Sequence, residues 1–189
     1  MSGKKKLIDT IVELELEMFL AVPADGSYSC QQDPAGFRLH RKAQFSTWSE
    51  DTLQSYLNDL NRARADDNNL MTIKYGRMQN ILSRENFNPL IEKISEVQSN
   101  WQTEMVQKYP NLMACARDLS KSDDAADETS FETYLIGELE TYSDATLALL
   151  HRDVLEFIKK GINGSEKVYD YLVKEMGYDS LAAADRAQS

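Results

Sequence analysis

Apolar residues recur at three- and four-residue steps in almost every stretch between turn signals, the spacing of a helix with one buried face. Residues 7–22, LIDTIVELELEMFLAV, place Ile8, Ile11, Met18, Phe19 and Val22 on one side, and Pro23 with Asp25-Gly26 ends the run. Asp33-Pro34 reads as a cap followed by proline in the first helical position, opening a helix that carries Phe37, Phe45 and Trp48 along one face. Thr47 or Ser49 starts the next helix, with Leu53, Tyr56, Leu57 and Leu60 as its inner stripe. A polar turn from Arg62 to Asn69 leads into a short helix faced by Met71, Tyr75, Met78 and Leu82. Asn88-Pro89 opens a long one through Leu90, Ile94, Val97, Trp101 and Met105, which stops before Pro110.

Beyond Pro110 the pattern weakens. A helix with Leu112, Cys115, Ala116 and Leu119 is expected to run into the acidic loop SKSDDAADE, residues 120–128, a solvated linker or an interaction segment. Thr129 and Glu132 form a capping box, and the helix after it is expected to continue to Lys160, with Gly161 as its stop. Ser165 opens a last helix with Val168, Tyr169, Leu172 and Met176. Residues 1–6 and 178–189 read as frayed tails. The expectation is therefore an all-α protein, a compact multi-helix bundle of about seven or eight helices with no sheet, helical over roughly two-thirds of its length. The 189 residues suit a single helical domain, 1–189.

Composition adds exclusions. With 42% hydrophobic and 28% charged residues the chain is globular, and 8 Gly with 4 Pro are few for a fold rich in tight turns. The net charge of −10 repels phosphate backbones, so no nucleic-acid partner is expected. No uncharged run approaches a membrane span, and Asp9, Glu13, Glu15 and Glu17 interrupt the apolar run after Lys4-Lys5-Lys6. Neither a signal peptide nor a membrane partner is therefore expected. Two isolated cysteines, Cys30 and Cys115, fit a reducing compartment, and the expected location is cytoplasmic.

Standard chemical signatures fail one by one. Walker, GxGxxG, GxSxG and HExxH motifs are missing. A di-iron bundle needs Glu-x-x-His, yet Phe37 and Ala148 stand three residues before His40 and His151. No metal and no cofactor are expected. Nothing local supports a Cys30–His nucleophile pair, and Cys30-Gln31-Gln32-Asp33 forms either a turn and cap or a pocket mouth at Gln31.

The more useful signal is charge on the wrong face. Glu15 lies four residues after Ile11 and three before Met18, inside the apolar stripe, whereas Glu13 and Glu17 point outward. Glu138 lies three after Leu135 and four before Tyr142, while Glu140 reads as solvent-facing. Arg41 falls midway between Phe37 and Phe45, with Gln44 beside it. Buried carboxylates need partners, and an Arg41 fork on one of them with Tyr142 donating to the other would supply these. Glu15, Arg41, Gln44, Glu138 and Tyr142 are thus the candidate ligand-binding residues. Three readings stay open: a polar pocket for a small molecule or peptide, an enzyme using Glu15 or Glu138 as general acid/base, and a purely structural or adaptor protein whose closed ion pair fixes helix register.

Several blocks together resemble a known family. They are LELEMF in the first helix, Cys30-Gln31, the Phe37–Trp48 stretch, Ser55-Tyr56-Leu57 with Asp59-Leu60, and TSFETYLIGELETYS from Thr129 to Ser143. They are similar to the bacterial domain-of-unknown-function family DUF4125, over about Leu7 to Gly161. The resemblance implies a stand-alone bacterial helical protein with no established activity. The family's turn pattern Gly-Arg-Asn-Leu stands here as Asp67-Asn68-Asn69-Leu70, so any role of that arginine does not carry over. The matching blocks contain all five candidate residues.

Overall fold

The computed structural model describes residues 3–23, 29–114, 116–120 and 129–188. Among these the chain is 71% helical, with 9 helices and no strand. Side-chain caps set most of the boundaries. Helix α1 (Gly3–Leu20) ends where Gln31 Nε2 donates to the carbonyls of Phe19 and Val22, so Gln31 satisfies the open end of a helix. Asp33 Oδ1 accepts from the Gly36 N–H at 2.8 Å and starts α2 (Pro34–Ser46). Ser49 caps α3 (Glu50–Ala65), and Asn69 accepts from both Met71 and Thr72 to start α4 (Leu70–Met78). Asn88 Oδ1 takes the Leu90 N–H at the head of α5 (Leu90–Lys108).

Helix α3 closes with Asp67 at φ 56. The Asn68 N–H reaches back to the Ala63 carbonyl and the Asp67 N–H to that of Arg64, the bond pair of a Schellman stop. A left-handed residue there favours glycine.

Several expectations need correction. Residues 111–114 and 116–120 form turns and bends, not a helix, and Cys115 and residues 121–128 lie outside the described part. Asp185 takes the N–H groups of Asn111 and Leu112, and the Asp118 and Leu119 carbonyls accept from Phe131 and Glu132, so this backbone is satisfied through tertiary bonds. The expected long helix to Lys160 is two helices, α6 (Phe131–Leu139) and α7 (Asp144–Lys159), and the first is capped by Ser130 in place of Thr129. Ser143 caps α7, and its N–H and hydroxyl both donate to Asp59 of α3, a long-range partner that makes the break stable. The break rephases the buried face: Leu147, Leu150 and Val154 point inward, where a continuous helix would have used Leu149.

Asn163 caps α8 (Gly164–Glu175), which therefore begins ahead of the expected start at Ser165. The expected frayed tail 178–189 instead contains α9 (Leu181–Ala187), which buries Leu181 and Ala184 against Met105, Met113 and Val173. The expected lead 1–6 is helical from Gly3.

The main core joins α1 to α7 around Ile11, Phe45, Leu53, Tyr56, Ile94, Leu139 and Leu147, all at or below 1% exposure. Helix α1 packs on α2, α3 and α4; α5 packs on α6, α7 and α8; α2 packs on α8. Among the described residues no helix is long and apolar enough to cross a membrane.

Candidate functional site

Four helices each insert one charged side chain into this core. Glu15 of α1, Arg41 of α2, Lys74 of α4 and Glu138 of α6 are exposed by only 0%, 4%, 2% and 2%. Arg41 is the hub. Its Nε and Nη2 grip the Glu15 carboxylate at 2.6 and 2.5 Å, the bidentate fork that suits guanidinium to carboxylate. Its Nη1 bonds Glu138 at 3.0 and 3.1 Å and Gln44 Oε1 at 2.8 Å. Lys74 Nζ donates to Glu138 Oε2 at 2.6 Å and sits 3.6 Å above the Tyr134 ring. Tyr56 donates to Glu15 and Tyr142 to Glu138, each at 2.6 Å.

All five residues read from the sequence thus meet in one network. The tyrosine pairing is sharper than expected, with one phenol for each carboxylate. Lys74 and the hydroxyl of Tyr56 complete it and were not among the candidates. Lys74 was open to the same test that found the others, since it lies three residues after Met71 and four before Met78 on the apolar face of α4. Tyr56 belongs to the apolar stripe of α3 and its ring is core, packed 4.8 Å from the Tyr142 ring. Glu140 corrects the outward assignment. It is 7% exposed, because the turn between α6 and α7 swings it against Arg84 at 3.0 Å and Arg77 at 3.8 Å.

Two carboxylates balance two cations, so the network has no net charge, and that balance governs its titration. Burial alone would raise the Glu138 carboxyl, but the charges of Arg41 and Lys74, with bonds from Lys74 and Tyr142, hold it well below its ordinary range. For Lys74 the burial penalty is outweighed by the Glu138 charge and its ammonium is held above its usual value. Burial first, and then the neighbouring carboxylates, push the phenols of Tyr56 and Tyr142 up. Glu138 accepts from Arg41, Gln44, Lys74 and Tyr142 together. Its lone pairs are committed and its proton affinity is low, so it is poorly set as a general base.

Arg41, Gln44 and Glu138 also border a cavity of about 840 Å³; Glu15 does not. The cavity lies among α2, α5, α6, α7 and α8, with Phe37, Trp48, Trp101, Phe157 and Tyr169 in its walls. Gln102 of α5 lines it too and donates to Tyr169 Oη at 3.2 Å. Gln44 is locked at the polar end: its Oε1 faces Arg41 and its Nε2 faces Glu138 at 3.0 Å. A flipped amide would set donor against donor and acceptor against acceptor. Among the described residues no three His, Cys, Asp or Glu side chains come together as a metal-binding group.

A helical protein with a closed four-charge core and an adjoining amphipathic cavity is the class that fold and site define. The family described as protein of unknown function (DUF4125) matches residues 5–186, and the chain belongs to that family. No curated protein and no solved structure matches it.

Proposed function

We propose that this protein is a binding module that takes a small organic molecule into the cavity among α2, α5, α6, α7 and α8. The observation that carries the reading is the cavity itself. Its volume falls in the range of ligand sites, about 300–1,000 Å³, and its apolar walls converge on a few placed polar groups. Arg41 and Glu138 form the rigid polar end, held from behind by Glu15 and Tyr142, and Gln44 is the member that turns a group toward the ligand. A bacterial, cytoplasmic setting accords with the family resemblance and with two isolated cysteines. The acidic net charge speaks against nucleic acid as partner.

The test uses the chain's own reporters. Both of its tryptophans, Trp48 and Trp101, stand in the cavity wall. Energy transfer from them to N-phenyl-1-naphthylamine, a neutral apolar fluorophore, should saturate at one probe per chain. Val168→Phe, which projects a ring from α8 into the cavity, should weaken that binding at least tenfold while the helical circular dichroism stays unchanged. Probe uptake that does not saturate, or that ignores Val168→Phe, rejects the reading.

A further inference from the structure

Three properties of the cavity narrow what it holds, and the narrowing rests on the binding reading above. The first is charge. The two ionised groups that reach the cavity from the core, Arg41 and Glu138, are paired with each other and with Glu15 and Lys74. Asp153, on the α7 wall, already accepts from the Ser49 N–H and the Thr52 hydroxyl through Oδ2. Asp33 caps α2 at the exposed rim, where Arg117 donates to the Thr129 carbonyl. His40, also at the rim, has its imidazole pushed down by burial, an effect partly opposed by Asp33. Apart from Arg117 at the exposed rim, a charged ligand would leave water and meet no uncommitted counter-charge among the described residues that line the cavity.

The second property is the walls. Phe37 from α2, Trp101 from α5, Phe157 from α7 and Tyr169 from α8 bring rings from four sides. Ring faces favour a flat partner that can stack or meet them edge-on. The third is unused hydrogen-bonding capacity. Gln44 Nε2 spends one N–H on Glu138 and keeps the other. Gln102 is 3% exposed and spends Nε2 on Tyr169, and its carbonyl oxygen has no bond among the described residues. Tyr169 accepts from Gln102 and keeps its own proton to donate. These groups together offer the cavity neutral donors and an acceptor.

From this combination we infer that the cavity takes an uncharged, planar, fused heteroaromatic compound, of the purine or alloxazine kind, whose edge carries both hydrogen-bond donors and acceptors. Gln102 reads that edge from one wall and Gln44 from the polar end, while Trp101 and Tyr169 stack on the ring. The volume accommodates a bicyclic or tricyclic system with a substituent.

Competition against N-phenyl-1-naphthylamine tests this with the full chain. Adenine, adenosine and lumichrome should displace the probe. Adenosine monophosphate should do so at least tenfold less well than adenosine, and 1-decanol, neutral but neither flat nor hydrogen-bonding along an edge, should be weaker than lumichrome by a similar factor. Gln102→Leu should lower the affinity for adenine and lumichrome at least tenfold and leave that for the probe within twofold; Gln102→Met serves if the leucine variant loses its helical spectrum. Equal displacement by decanol or by the monophosphate overturns the ligand class and leaves the cavity reading standing, as does a Gln102 variant that binds adenine unchanged. Failure of the probe itself to bind overturns the cavity reading and the class with it.

Discussion

Replacing Glu15 with alanine tests the logic of the buried network most directly. The carboxylate is fully buried and accepts from Arg41 Nε at 2.6 Å, Arg41 Nη2 at 2.5 Å and Tyr56 Oη at 2.6 Å. Truncation leaves those donors facing a void and leaves Arg41 and Lys74 sharing Glu138 alone, so a balanced core acquires one positive charge. Breaking a buried pair in this way costs about 3–5 kcal/mol. For a chain of this size that corresponds to a fall in Tm of roughly 6–20 °C. Glu15→Gln keeps the shape but presents N–H groups to donors, so it should recover little of the loss. Glu15→Met combined with Arg41→Met leaves Lys74 with Glu138, again neutral, and should cost about 1–3 kcal/mol less than the two single changes added together. Urea unfolding monitored by tryptophan emission measures all of these variants. A loss below about 1 kcal/mol for Glu15→Ala, the range of surface substitutions, would refute the reasoning, as would strict additivity in the double variant.

The same geometry sets further expectations. Glu138 has a folded pKa below its unfolded one, so its contribution is full above about pH 4.3 and is lost as the pH falls below that; urea midpoints should fall steeply between pH 5 and pH 3. Lys74 is shifted upward, so its contribution is full below about pH 10.4 and is lost only as the pH rises beyond that, which should keep the midpoint level across neutral pH. Asp67→Gly removes a left-handed aspartate at the end of α3 and should stabilise the fold by about 0.5–1 kcal/mol in thermal melts, without altering probe binding. A side chain at Gly164 would place Cβ 2.5 Å from the Trp101 ring, so Gly164→Val should cost about 1–3 kcal/mol and shift tryptophan emission.

The fold was legible at most of the helix starts that a local rule marks, although Thr129 and Ser165 gave way to Ser130 and Asn163. Asp33-Pro34, Ser49 and Asn88-Pro89 announce their helices by cap chemistry, and three- and four-residue spacing fixes which face turns inward. What escaped the sequence was set by partners distant along the chain. Nothing within TSFETYLIGELETYS shows that Asp59, 84 residues from Ser143, will hold a helix start there. The same break reverses the reading of Glu140, which a continuous helix would have pointed to solvent. The tail helix is hidden from the sequence for a related reason. Leu181 and Ala184 are too few to signal a helix by periodicity alone, and they gain their cover from Met105 and Met113.

The network was legible because burying charge on an apolar stripe is costly enough to demand partners, whereas the cavity was not, since a void is defined by helices that fail to meet. The two features nonetheless belong together. A buried four-charge cluster is no more stabilising than well-packed hydrophobic residues of equal volume, so stability alone gives a weak reason for it. Its distinctive product is orientation. Arg41 and Glu138 pin opposite ends of the Gln44 amide, and an apolar core could hold that amide in neither sense. With the amide fixed before any ligand arrives, binding need not freeze it, and the cost of ordering that side chain is met during folding. Loss of Glu138's grip should therefore weaken ligand binding through Gln44 as well as weaken the fold. Gln44→Leu, which leaves all three ion pairs in place, should weaken adenine displacement of the probe while changing stability far less than Glu15→Ala does.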